Sequence, residues 1–211
     1  MARADTGALR GVARERLWLI GVGACLCGCL SRPIVNEAQA TSSPAVCAFD
    51  RTQMLALSQD AFDQDMNGGW RALAAREGCI EAAADLIRDY REAKGLPDSV
   101  FVWHEGQLRA SLEETERAIE LFEKSRYPQE DPLGWNLYVE ASVAFLRKDK
   151  PALIRARDAL AQVQKPADWD PRDAQGHAFA VSWPLNLDVV DRLIRCFDRP
   201  YKEAYGNCPA P

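Results

Sequence analysis

Histidine is nearly absent: the 211 residues hold two, His104 and His177. A His-rich metal site is thereby excluded, and a Ser-His-Asp triad would have to use one of them without the GxSxG string of a nucleophile elbow. Cations are in deficit, with 26 Lys+Arg against 31 Asp+Glu and a net charge of -5. No excess of positive charge is available to neutralise phosphates, which argues against nucleic-acid partners. No apolar run reaches the roughly 20 residues of a comfortable membrane span. CxxC and CxxH spacings are missing, so zinc is not expected, and Gly68-Gly69 lacks the GxxxxGK[ST] context of a phosphate cradle. No cofactor is expected. What is present, 47% hydrophobic and 27% charged residues, is the balance of one ordinary globular domain.

Residues 1–40 read as an export signal. Arg3, Arg10, Arg14 and Arg16 precede the uncharged run Leu17 to Leu30, and Ala38-Gln39-Ala40 supplies the small-x-small pattern of a cleavage site. Cleavage after Ala40 leaves 171 residues with 21 cationic and 28 acidic side chains, a net of -7. Two other readings stay open. Cys25 and Cys29 each follow a stretch like a bacterial lipobox, which would make the chain a lipoprotein, or the segment remains as an uncleaved anchor. All three place the domain outside the cytoplasm, most simply in the periplasm, and give it a membrane connection only through this N-terminus.

Of seven cysteines, three travel with that segment, leaving Cys47, Cys79, Cys196 and Cys208. An even number in an exported chain implies disulfides, with three possible connectivities. Cys47–Cys79 and Cys196–Cys208 are favoured because each pair is nearest in sequence and lies at one end of the domain. Four buried free thiols are the alternative.

The body of the chain repeats. Pro97, Pro132 and Pro166 are spaced 35 and 34 residues apart, and fourteen residues before each stands an alanine, Ala83, Ala118 or Ala152. Each alanine lies in a helix-like stretch: IEAAADLIRDYREA, ETERAIELFEKS and PALIRARDALAQV. In the middle unit the pattern predicts one helix over Val100–Leu112, capped by Asp98 or Ser99, and a second over Thr115–Ser125. Thr52–Phe62 is expected as a single capping helix, and Leu187–Phe197 as a C-terminal one with Val189, Val190, Leu193 and Ile194 on its apolar stripe.

These units resemble the tetratricopeptide repeat (TPR) family, in which a small residue of the second helix is followed four positions on by a large apolar one and a proline closes the unit. Ala118 and Phe122 carry that spacing, as more loosely do Ala83 and Ile87, and Ala152 and Ala156; the phase also puts Gly106 where a small residue is expected. The resemblance covers roughly residues 64–166, although the Trp-x2-Leu-Gly-x2-Tyr string of the first helix is absent. It implies an all-α fold: a short α-solenoid of about three TPR-like helix pairs, with an N-terminal cap (41–63) and a C-terminal cap (167–211).

It implies further that the first helices line a groove for a peptide or helix of a partner protein, making the chain a non-catalytic interaction scaffold of the bacterial cell envelope. Trp103 and Gln107, four apart, and their counterparts Asn136 and Glu140 are the candidate groove residues. Burying Asn136 and Glu140 in the apolar string WNLYVEASVAFL would be costly, so they are expected to face solvent or a partner. A cell-wall-acting envelope hydrolase with groove carboxylates, Glu105 first among them, and a structural subunit of an envelope complex are the alternatives. Glu105 and Arg109 have the spacing of an intrahelical ion pair. His104 reads as structural, and Trp70, Trp103 and Trp135 as core residues or, less simply, as ligand-binding aromatics.

Overall fold

Short polar residues set where the chain first turns helical. Asp50 and Ser58 each accept a backbone N–H three residues ahead, from Gln53 and Ala61, and so cap α1 (Arg51–Ala56) and α2 (Gln59–Asp63). The single helix expected over 52–62 is therefore two, because Leu57 turns extended (ψ 151°) and Ser58 starts a new helix. The coordinates are a computed structural model that describes residues 45–97, 100–172, 176–178 and 180–209. The chain divides after Ala40, and everything described belongs to the unit Thr41–Pro211. The expected export signal, and the expected caps Asp98 and Ser99, lie outside the described residues.

Eight further helices follow among the described residues: α3 (Gly69–Ala74), α4 (Ile80–Lys94), α5 (Val100–Ser111), α6 (Thr115–Lys124), α7 (Trp135–Leu146), α8 (Lys150–Leu160), α9 (Leu187–Arg195) and α10 (Tyr201–Gly206). No strand occurs among the described residues, only one isolated bridge between Arg172 and Ala178. Gly95, at φ 64°, ends α4 in the left-handed conformation that glycine adopts without penalty. Asp149 caps α8 through Ala152 N–H, with Pro151 in the first turn where its missing donor is harmless.

The helices pack as successive hairpins: α3 with α4, α5 with α6, α7 with α8. Neighbouring hairpins meet through α4 against α5 and α6 against α7. The close approach of α5 to α6 depends on Gly106, since a Cβ there would sit 2.7 Å from Cδ1 of Phe122. Two apolar clusters result. One joins α1–α4 to Phe101 and is centred on Phe62 stacked against Tyr90, ring centroids 3.7 Å apart. The other runs through α5–α10 and includes Trp103, Phe122, Tyr138, Phe145, Leu193 and Tyr201. Each fully buried large side chain of this kind contributes about 1.5–3 kcal/mol.

The structure pairs Cys47 with Cys79 and Cys196 with Cys208, the connectivity favoured from proximity in sequence. By loop-closure entropy the two are worth about 4 and about 3 kcal/mol respectively. Two disulfides fit an extracytoplasmic protein. No helix among the described residues is long and apolar enough to cross a membrane.

Beyond α8 no described residue from 161 to 186 is helical; there Trp183 donates its indole N–H to Val163 O (2.9 Å) and meets Trp169 edge to face. The chain then enters α9, turns at Pro200, and returns as α10.

Candidate functional site

Helix α5 is buried around most of its circumference, apolar and charged residues alike, and three elements cover it. α4 and α6 flank it as hairpin neighbours. On the remaining side α5 faces α7 through aromatic rings: Trp103, stacked on Phe122 of α6 (4.2 Å), meets Trp135 (4.9 Å) and Tyr138 (4.8 Å) of α7. Over this α5/α7 seam lies α10. Tyr201 packs against Phe122 and, edge to face at 6.0 Å, against Phe145. Ala204, one turn on, is fully buried, and Tyr205 reaches Tyr138. As α10 advances from Tyr201 to Tyr205, its contacts on α7 step back from Phe145 to Tyr138, so the helix runs antiparallel to α7.

The seam is aromatic, and Tyr138 and Tyr201 are both buried in it. Burial raises Tyr201 and Tyr138 well above the ordinary tyrosine range, reinforced by the neighbouring tyrosines. The Tyr201 hydroxyl is buried with the Gln107 side chain beside it, short of the geometry of a well-formed hydrogen bond. At the mouth of the seam a cleft of about 360 Å³ opens between Glu113, Lys148 and the link Asp198–Arg199–Pro200. There the Lys148 ammonium stands over the Phe145 ring and donates to Phe197 O (3.0 Å).

The four candidate groove residues do not converge. Trp103, 3% exposed, is a core residue under the seam. Gln107 is half-buried on the α10 side of α5, hydrogen-bonded to His104 Nδ1 (3.1 Å). Asn136 is half-buried and braces a loop, its amide donating to Tyr127 O and its carbonyl accepting from Tyr127 N–H. Glu140 is exposed, about 200° around α7 from the seam residue Tyr138. The seam partners Tyr201 and Tyr205 were not foreseen; the available signal was a Tyr-x2-Ala-Tyr stripe behind a proline, between two cysteines.

Two buried carboxylates lie elsewhere. Glu105, 1% exposed, receives Arg91 (2.7 Å) and Arg117 (3.3 Å) and approaches Arg109 Nε at 3.9 Å. Arg109, equally buried, reaches on to Asp85 and Glu114. This network clamps α4, α5 and α6 together, with the Nε atoms of Arg91 and Arg109 left without a hydrogen bond. Asp63 accepts from the Trp70 indole (2.8 Å) and pairs with His104 (3.4 Å) and Arg71. Burial alone would raise its carboxyl, but the hydrogen bond and charge of His104, the Trp70 donor and Arg71 hold it down at about 2. Both carboxylates serve as anionic partners for fixed cations. Among the described residues no group of three or more His, Cys, Asp or Glu is placed to hold a metal ion.

No protein-family model, curated protein or solved structure matches the chain.

Proposed function

We propose that the protein is an interaction module of the bacterial cell envelope, built of three TPR-like helix pairs, that binds an amphipathic helix of a partner protein on the α5/α7 seam. One observation carries the reading: the protein's own α10 lies on that seam as an amphipathic helix, Tyr201, Ala204 and Tyr205 inward and Lys202 and Glu203 in solvent. A surface that accepts one such helix has the shape to accept another. The stacked hairpins α3/α4, α5/α6 and α7/α8 support the repeat assignment, with α1–α2 and α9–α10 as terminal caps. The disulfides support residence in the periplasm, reached through the segment 1–40 either by cleavage after Ala40 or as a lipoprotein. Two observations favour binding over hydrolysis: Glu105 is closed in by Arg91, Arg109 and Arg117, away from any substrate, and Asp63, held at about 2, is no general acid near neutrality.

The reading is tested by crosslinking in the intact envelope. A photo-crosslinking residue at Gln107, on the seam, is compared with one at Arg155, exposed on α8. A discrete adduct from position 107 alone, competed by a peptide spanning 197–209, is the expected result. Adducts alike from both positions, or crosslinks from 107 only within its own chain both before and after treatment with a dithiol, would overturn it.

A further inference from the structure

The two disulfides sit in unlike surroundings. Cys47 and Cys79 are 1% and 0% exposed inside the α1–α4 core. Cys196 and Cys208 are each only half-buried, and they close a stretch of 12 residues that contains the link 197–200 and the whole of α10. This second bond therefore tethers one element and nothing else.

That element depends on its tether. α10 has six residues, well short of the roughly 12–15 at which an isolated helix is even marginal. Its seat is imperfect, since the buried Tyr201 hydroxyl has only the Gln107 side chain beside it and no well-formed hydrogen bond, so its desolvation is poorly compensated. The cleft at Glu113, Lys148 and Asp198–Pro200 leaves the link room to swing where it enters the seam. Removing a closure of this length weakens the seated state by about a hundredfold.

We infer that Cys196–Cys208 is a reducible latch that keeps α10 on the α5/α7 seam, and that its reduction by a dithiol uncovers the seam for a partner helix with aromatics at the i, i+4 spacing of Tyr201 and Tyr205. A thiolate of the dithiol attacks one of the two sulfurs, forming a mixed disulfide and releasing the other cysteine as a thiolate. The second thiol of the dithiol then displaces the first cysteine. The dithiol leaves as a disulfide, having supplied both electrons, and the two cysteines end as thiols. Cys47–Cys79, closed off from attack, stays oxidised. The opening step stands on the structure alone; the partner step rests on the proposed binding role of the seam.

The test uses the full chain under graded dithiothreitol, with alkylation and peptide mass analysis to identify the reduced pair. Cys196 and Cys208 are expected to be alkylated while Cys47 and Cys79 remain joined. Amide exchange over 201–206 should then quicken by about tenfold or more while α4 is unchanged. The Cys196→Ser/Cys208→Ser variant should show the same fast exchange without reductant. Simultaneous reduction of both disulfides, or undiminished protection of 201–206 in the reduced protein and in the variant, would overturn the latch. A labelled 197–209 peptide carrying C208S is then titrated against both forms, with apparent affinity expected to rise by up to about a hundredfold on reduction. Fast exchange with no gain in peptide binding would keep the latch and reject the seam as a partner site.

Discussion

Gly106 faces the ring of Phe122 so closely that a Cβ on the glycine would stand 2.7 Å from Cδ1 and 3.2 Å from the Leu121 Cβ. The contact sets the spacing of α5 and α6. Phe122 is itself held by Trp103 and Tyr201, so it has little freedom to retreat. Gly106→Ala should destabilise the protein by about 1–3 kcal/mol through overpacking, against a gain of up to about 1 kcal/mol in helix propensity. Urea unfolding of the two proteins checks the sign. A more stable variant would mean that the ring moves aside freely.

Glu105 and Arg88 make ion pairs of very different worth. Glu105 is fully buried among Arg91, Arg109 and Arg117, whereas Arg88 is about a third exposed where it meets Asp85 and Asp89. Glu105→Ala strands buried guanidinium groups and should cost about 3–5 kcal/mol. Arg88→Ala should cost less than about 1 kcal/mol, because solvent already screens its pairs. Equal losses in denaturant unfolding would show that the buried network holds the α4–α6 clamp no better than a surface pair does.

How much of this was legible in the sequence follows from how each helix is buried. α4 and α6 have an apolar stripe opposite a charged face, and their extents agree with expectation to within about a residue, as assignment of helix ends allows. α5 and α7 are buried around most of their circumference, so periodicity could show that they were helices but not which side faced what. That is why Trp103, read both as a groove candidate and as a core residue, could not be assigned from the sequence; it lies in the core. It is also why Glu105 and Arg109, read as an ordinary intrahelical pair, are the centre of a clamp that also needs Arg91 and Arg117 from other helices. α10 escaped notice because six residues give too few turns for a period. Its partners on α5, α6 and α7 are about 55 to 100 positions away in the chain.

Acid should weaken the protein partly through Asp63. Its carboxyl titrates at about 2 in the folded chain against an ordinary value of 3.8, so the folded state binds a proton later than the unfolded state does. The associated stability is fully present above about pH 4 and is lost as pH falls from there towards 2, for a total of about 2 kcal/mol. The stability difference between wild type and Asp63→Asn should therefore shrink by about 2 kcal/mol between pH 5 and pH 2. Urea midpoints at the two pH values measure it. A constant difference would mean that Asp63 is not held ionised by His104, Trp70 and Arg71.

Tyr201 offers the sharpest test of how α10 is seated. Its ring is bound by Phe122, Phe145 and Tyr205, while its hydroxyl is buried beside Gln107 without a well-formed hydrogen bond. Tyr201→Phe keeps the ring and removes the poorly compensated polar atom, so it should stabilise the protein by about 1 kcal/mol, a rise in Tm of roughly 2–4 °C. Tyr201→Ala removes the ring as well and should cost about 3–5 kcal/mol, with amide protection lost first over 201–206. A drop in Tm for Tyr201→Phe would show that the hydroxyl is bonded in solution, to Gln107 or to water. The seat of α10 would then be tighter than its poorly paired hydroxyl implies, and the helix would owe less of its position to the Cys196–Cys208 bond.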